Sequence, residues 1–129
     1  MPLVVSVGGL DFIDFQAGEF PPRMDERIYM MHNANTAHIK LLPDEAEITT
    51  ARFAARIEKI DYPVKLLIPT DGMRHNTRKG EALYYKEVDD IIIRQLKEIR
   101  IPMWKSLQYQ EIWIQRNGAF RPPTIWWTN

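Results

Sequence analysis

The sequence predicts an α/β fold, Rossmann-like, with a small, open, mostly parallel sheet of about four strands and two crossover helices. From Thr36 to Ile114 short apolar runs alternate with segments of helical period, in the order strand–helix–strand–helix–strand. This alternation is typical of a parallel sheet with right-handed crossovers. The 129 residues are 45% hydrophobic, which suits one core. We therefore expect a single domain over residues 1–129, with residues 119–129 as a tail.

The N-terminal part predicts one strand followed by a long loop. Leu3–Val7 is a short apolar, β-branched run, and two glycines follow it, as in a buried strand that ends in a tight turn. Residues 11–35 show no period, and Pro21 and Pro22 would break a helix there. A loop of this length is uncommon in a compact domain, and it suggests either a function or a missing partner.

The next two elements are a strand and a helix. Apolar residues alternate with polar ones over Thr36–Leu42, which predicts a strand that ends at Pro43. Asp44 followed by Glu47 resembles a capping box, which places a helix at residues 45–59. Its apolar positions recur at helical spacing, and they are Ala46, Thr50, Phe53, Ile57 and Ile60.

The last three elements follow the same alternation. Pro63–Pro69 is almost continuously apolar, the pattern of a strand buried on both faces of a parallel sheet. Residues 86–100 carry one apolar stripe, and Asp89 and Asp90 near their start are most simply a complement to the helix dipole. Residues 106–114 are predicted to form the final strand. Two tryptophans close the tail, Trp126 and Trp127, which we expect to pack on the domain or on a partner.

Composition excludes several classes of function. Seventeen basic residues balance seventeen acidic ones, so no net field attracts nucleic acid or an anionic membrane. No apolar run approaches the roughly eighteen residues of a membrane span. Cysteine is absent, which fits a reducing cytoplasm. The three histidines lie far apart without a ligand spacing, so no metal site is predicted.

The loops beyond the carboxyl ends of the strands are where an open parallel sheet binds ligands. After the first strand come Gly8, Gly9 and Asp11, which permit close backbone approach and offer a carboxylate. After the third strand, residues 70–80 form a glycine-bracketed segment, named the basic loop here, that could hold a phosphate or carboxylate. Its candidate ligand-binding residues are Gly72, Arg74, Arg78 and Lys79. The alternatives are an ordinary turn and a solvated surface loop.

A histidine–asparagine pair, His32 and Asn33, is a further candidate. Either side chain could donate to a phosphate, and the imidazole could act as an acid or base. The pair precedes the second strand, so it would reach the ligand edge of the sheet only if the long loop folds over the top. The alternative is a turn without a binding role.

The order and spacing of these motifs resemble the C-terminal part of the ATP-binding domain family typified by the tomato mosaic virus resistance protein (Tm-1-like). The resemblance covers about residues 3–120. The residues that carry it are Gly8, Leu10, Asp11, Phe15, Pro21 or Pro22, Arg27, His32, Asn33, Lys40, Glu45, Ala54, Ile57, Pro69, Gly72, Gly80 and Tyr84. Where the family has a serine, an Asp-Pro and a His-Ile-Asn-Asp segment, this chain has Arg74, Tyr85-Lys86 and Trp113-Ile114-Gln115-Arg116.

The resemblance implies association with a nucleotide, with ATP as the expected cofactor. Family members carry a preceding nucleotide-binding subdomain and the first half of the C-terminal one, neither of which this sequence contains. We therefore expect a homo-oligomer, or a companion subunit that supplies the N-terminal half. The alternatives are a non-catalytic interaction module that has lost the site, and a stand-alone hydrolase or transferase, which would require His32 to face the Gly8 turn.

Overall fold

The computed structural model describes residues 3–99 and the backbone of residues 109–112. The elements are β1 (Leu3–Ser6), β2 (Phe12–Gln16), β3 (Tyr29–Asn33), β4 (Thr36–Lys40), α1 (Pro43–Glu58), β5 (Val64–Pro69), α2 (Lys86–Lys97) and β6 (Tyr109–Ile112). The predicted α/β, Rossmann-like class and the predicted order of the last five elements are confirmed. The predicted tail, with its two tryptophans, lies outside the described residues, as do Trp113 and Arg116.

Two three-stranded sheets make up the fold. Strands β1, β5 and β6 lie side by side in that order and are parallel, with β5 in the centre as its apolar sequence predicts. The chain moves across this sheet in one direction, and crossovers of the usual right hand then place α1 and α2 on the same face. The two helices pack against each other and against β5. Leu66, Ile68, Val88, Ile92 and Leu96 are at the centre of this core.

The second sheet is antiparallel, in the order β2–β4–β3. The prediction of a long irregular loop over residues 11–35 is wrong, because β2 and β3 both lie within it. The strand predicted at residues 36–42 exists as β4, but it pairs with β2 and β3 and not with the parallel strands. Pro21 and Pro22, which would break a helix, fall between β2 and β3, before a short 3-10 turn at Met24–Glu26.

Helix α1 begins two residues earlier than the sequence predicts. Pro43 occupies its first turn, where the missing N–H costs nothing, and Leu42 precedes it as the cap residue. The Leu42 backbone N–H donates to Glu45 Oε2 at 3.0 Å. Glu45, and not the predicted Asp44–Glu47 pair, therefore satisfies the free amide at this end of the helix.

No helix among the described residues is long and apolar enough to cross a membrane.

Candidate functional site

The basic loop is folded against the protein by its own hydrogen bonds. Thr77 is fully buried, and its Oγ1 accepts from the Arg74 backbone N–H at 2.9 Å and donates to the Arg74 carbonyl at 3.1 Å. The Leu83 N–H donates to the Asn76 carbonyl at 2.9 Å. Met73 is 2% exposed. These contacts fix the backbone of a segment that the sequence also allowed as a solvated loop.

Gly72 allows the basic loop to close on itself. Its φ is +81°, a conformation that side-chain-bearing residues seldom adopt. A Cβ atom placed on Gly72 would lie 2.8 Å from the Arg78 backbone nitrogen. The backbone at Gly72 is therefore in contact with the backbone at Arg78, and this contact closes the loop.

The structure brings the turn after β1 and the basic loop together at the carboxyl edge of the parallel sheet. A Cβ atom on Gly8 would lie 3.4 Å from the carbonyl oxygen of Met73, so the two loops are in backbone contact. Gly9 has a φ of +87° and lies beside the Phe12 ring. Parallel-strand topology predicts that the loops at this edge lie close together, and the Gly8 turn and the basic loop do so.

Several buried polar atoms near this edge have no hydrogen-bond partner within the described part of the chain. They are Asp11 Oδ1, Thr70 Oγ1, Asn76 Oδ1 and Arg78 Nε. Thr70 is the residue that directly follows β5, and the other three belong to the two adjoining loops. Buried polar atoms are almost always paired, so this concentration makes the edge the candidate site of the described residues.

The basic loop also packs on part of one face of the antiparallel sheet, named the polar face here. By register this face carries Phe12, Asp14, Met30, His38 and Lys40. The Arg74 guanidinium lies over the Phe12 ring, 4.8 Å from its centroid, and Asn76 Nδ2 contacts Met30 Sδ at 3.5 Å.

A fully buried lysine links the two sheets to helix α2. Lys40 Nζ donates to Asp11 Oδ2 at 2.5 Å and to Asp89 Oδ1 at 2.9 Å, and neither Lys40 nor Asp11 is exposed. Burial raises the pKa of Asp89 to about 6, although its hydrogen bond to Lys40 acts in the opposite direction. Asp89 lies in the first turn of α2, where the dipole interpretation places it, but it is buried and pairs with Lys40, whereas Asp90 is exposed and pairs with Lys86.

A buried arginine holds the segment before β3 to helix α1. Both terminal nitrogens of Arg27 donate to the Glu45 carboxylate, at 2.7 and 2.5 Å, and Nε donates to the Pro22 carbonyl at 2.9 Å. The Arg27 guanidinium lowers the pKa of Glu45. This bidentate pair keeps the β2–β3 connection close to the start of α1.

The remaining predicted residues lie in different surroundings. His32 is exposed, and its ring lies 4.4 Å from the His38 ring on the polar face. Asn33 is the last residue of β3, and its Oδ1 accepts from the Asn35 N–H in the following turn at 2.8 Å. Lys79 is exposed at the end of the basic loop.

Sequence reasoning missed three contributors to this region: His38, Thr70 and Asn76. His38 alternates with apolar residues in β4, so it had the pattern of a solvent-facing side chain, yet it is 4% exposed. A pair of ionisable residues at i and i+2, His38 and Lys40, within one predicted strand was the available signal. Among the described residues, no group of three or more potential ligands could hold a metal ion.

Comparison with known proteins agrees with the resemblance found in the sequence. Residues 1–110 match the model of "Uncharacterised protein family (UPF0261) C-terminal domain". A UPF0261 protein of Brucella suis is 30% identical over 113 residues, which are 87% of this chain and 26% of that protein. A UPF0261 protein of Mesorhizobium japonicum is 29% identical over 98 residues, 75% of this chain and 25% of that protein.

A more distant relative is a plant protein. The ToMV resistance protein Tm-1(GCR237) of Solanum lycopersicum is 26% identical over 98 residues, 75% of this chain and 13% of that protein. The chain thus spans about a quarter of the length of the bacterial relatives it matches. The match over residues 1–110 shows that the chain belongs to the UPF0261 family, in its C-terminal domain.

Proposed function

We propose that this chain contributes a phosphate-binding edge to a nucleotide site, with ATP as the ligand. The observation that carries the proposal is the set of buried, unpartnered polar atoms where the Gly8 turn meets the basic loop. Thr70 Oγ1 and Arg78 Nε are groups that donate to phosphate oxygens, and the Gly8 and Gly9 backbone permits close approach.

Charge around this edge supports an anionic ligand. Arg74, Arg78 and Lys79 carry fixed positive charge within the basic loop, and the carboxylate of the adjoining Asp11 is already paired with Lys40. The ligand-binding residues in this proposal are Gly8, Gly9, Asp11, His32, Asn33, Gly72, Arg74, Arg78 and Lys79. Asp11 acts through Lys40 by fixing the Gly8 turn, and Asn33 acts by shaping the turn that presents β3.

The proposal places the rest of the nucleotide site on another copy of this chain or on a companion subunit. This chain corresponds to about a quarter of the length of the bacterial relatives. The adenine and ribose would then be bound by the second subunit, and the basic loop would bind the phosphates.

Isothermal titration calorimetry with ATP, pyrophosphate and adenosine tests the proposal. We expect ATP and pyrophosphate to bind and adenosine not to bind to the chain alone. Arg78→Gln should weaken ATP binding about tenfold, the effect of roughly 1.5 kcal/mol from one charged hydrogen bond. Arg56→Gln, a matched change on the exposed side of α1, should leave it unchanged.

The same titration should be repeated with any chain that co-purifies. No binding of ATP or pyrophosphate, alone or with that chain, would contradict the phosphate site.

The second candidate function is a non-catalytic interaction module, and a surface patch favours it. Phe20, Tyr29 and Met31 are 49%, 51% and 45% exposed, and the Phe20 and Tyr29 rings lie 6.2 Å apart. They border β3, which is an edge strand of the antiparallel sheet among the described residues. In this proposal the occupant is a second copy of the chain, related by a twofold axis.

A further inference from the structure

A histidine, a carboxylate and a second histidine meet on the polar face. His38 Nδ1 and Asp14 Oδ1 are in hydrogen-bond contact across the β2–β4 register. The His38 ring packs edge-on against Phe12, with centroids 4.9 Å apart, and against the tilted ring of His32. Three neighbours therefore fix the orientation of one buried imidazole.

The chemistry of this contact determines the His38 tautomer. An ionised carboxylate can only accept a hydrogen bond, so Nδ1 must carry the proton and donate to Asp14. In the neutral ring Nε2 then has the free electron pair. No hydrogen bond to Nε2 forms within the described part of the chain, so this nitrogen is not committed to a structural role.

We infer that Asp14 and His38 form an acid–base pair, in which His38 Nε2 is the catalytic base and Asp14 is a positioning residue. A carboxylate that holds one imidazole nitrogen favours the tautomer needed at the other nitrogen and stabilises the imidazolium that forms. In the described part of the chain, the hydrogen-bond and ring contacts of His38 include no hydroxyl or thiol, so the nucleophile in this inference is water or a substrate hydroxyl.

The substrate class that fits is an anionic ester. The Arg74 guanidinium lies over Phe12, whose ring also contacts His38, so an anion held by Arg74 comes to the same face as the base. In the step, the oxygen of water bonds to the ester centre while its proton passes to Nε2. The ester bond to the leaving oxygen breaks, and that oxygen takes the proton back from the imidazolium.

This inference does not depend on nucleotide binding, and its test uses none. Diethyl pyrocarbonate acylates a histidine nitrogen that has a free electron pair and is accessible. The nitrogen bonds to the carbonyl carbon, ethyl carbonate leaves, and the Nδ1 proton is lost to Asp14 or water. His75, exposed in the basic loop, is an internal reference in the same chain.

We expect His38 to be acylated to completion, although more slowly than the exposed His75 because His38 is only 4% exposed, as measured by mass spectrometry of peptides at pH 7.5. Asp14→Asn should slow acylation of His38 by roughly threefold or more, because the amide no longer favours one tautomer, and should leave His75 unchanged. Nitrogen-15 spectra should show His38 with its proton on Nδ1 in the unchanged chain and a mixture of tautomers in the variant.

Two results would overturn the inference. The first is a His38 that stays unmodified while His75 reacts to completion, since Nε2 would then be inaccessible. The second is an equal rate and the same tautomer in Asp14→Asn, since the carboxylate would then have no positioning role. Circular dichroism of the variant shows whether it retains the fold.

Discussion

At the scale of single residues, the buried ammonium of Lys40 and its two ion pairs are the most consequential feature. Lys40 is fully buried and is shared by two carboxylates from different parts of the chain. A buried ammonium is tolerated only when it is paired, and here the pairing joins β4, the turn after β1 and the first turns of α2. The same contact that solves an electrostatic problem therefore fixes the positions of three elements.

Replacing Lys40 tests this role. Lys40→Met should lower the free energy of unfolding by about 3–5 kcal/mol, since it leaves two buried carboxylates without their cation. Urea denaturation at pH 7 measures the change. Lys59→Met, at an exposed position, is the control and should change stability by less than about 0.5 kcal/mol. Similar midpoints for the two variants would contradict the role of the buried pair.

The raised pKa of Asp89 predicts a pH dependence. Its pKa is about 6 in the folded chain, against an ordinary value near 3.8, so between these values the folded state binds more protons than the unfolded state. The contribution of Asp89 to stability is therefore full below about pH 4 and is lost as pH rises through about 6.

Asp89→Asn removes this contribution. The free energy of unfolding should then rise more steeply from pH 4.5 to 6.5 in Asp89→Asn than in the unchanged chain, as measured by urea denaturation at each pH. Asp90→Asn, at the exposed neighbouring position, should retain the slope of the unchanged chain. Parallel profiles for Asp89→Asn and the unchanged chain would show that Asp89 titrates in its ordinary range.

At the scale of elements, the basic loop is shaped by two glycines with similar backbone angles and different surroundings. Gly72 and Gly80 have φ values of +81° and +90°, yet a Cβ on Gly72 would meet the Arg78 backbone, whereas nothing lies within 4 Å of one on Gly80. Substitutions at these two glycines therefore distinguish the cost of a positive φ from the cost of a clash that opens the loop.

Alanine at the two positions should have unequal effects. Gly80→Ala should cost about 1 kcal/mol of stability from φ alone, and Gly72→Ala should cost about 1–3 kcal/mol more because the loop must open. Thermal unfolding measures both. If the loop forms the phosphate site, Gly72→Ala should also abolish the binding of pyrophosphate in calorimetry, while Gly80→Ala should retain it. Equal costs at the two positions would contradict the closure at Gly72.

The elements differ in how well the sequence predicted them, and the reason is burial. Strand β5 and helices α1 and α2 bury apolar residues on a single side or throughout, so their period is visible. In β2 and β3 no residue is fully buried, and Asp14, which shares a face of β2 with Phe12, is exposed. Strands that bury no residue completely need no regular apolar alternation, so the sequence predicted a loop there.

Burial and strand pairing also decided which residues of the candidate site could be predicted from the sequence. The glycines and cations of its loops were visible because those residue types mark turns and anion sites. The partners of Lys40 and the Asp14–His38 contact depend on pairing between β2 and β4, which the sequence did not reveal. Asp89 was assigned to the helix dipole because its burial follows from the position of Lys40 and not from its own helix.

At the scale of the whole molecule, the antiparallel sheet has two roles in this arrangement. Part of its polar face packs under the basic loop, beside the candidate site. Its outer strand β3 leaves Tyr29 and Met31 exposed beside Phe20. An exposed apolar edge strand is a surface on which a second strand can pair, so the sheet can link the site to assembly.

The assembly proposal predicts a dimer through β3. Met31→Lys should lower the dimer fraction measured by size-exclusion chromatography with light scattering, because a charge on each copy of an edge strand opposes pairing across a twofold axis. Ile48→Lys, a matched change at an exposed position of α1, should leave the dimer fraction unchanged. A monomer at every concentration, or equal effects of the two variants, would contradict pairing through β3. In that case ATP binding by the chain alone would separate the phosphate site from assembly, since the basic loop and β3 are altered by different substitutions.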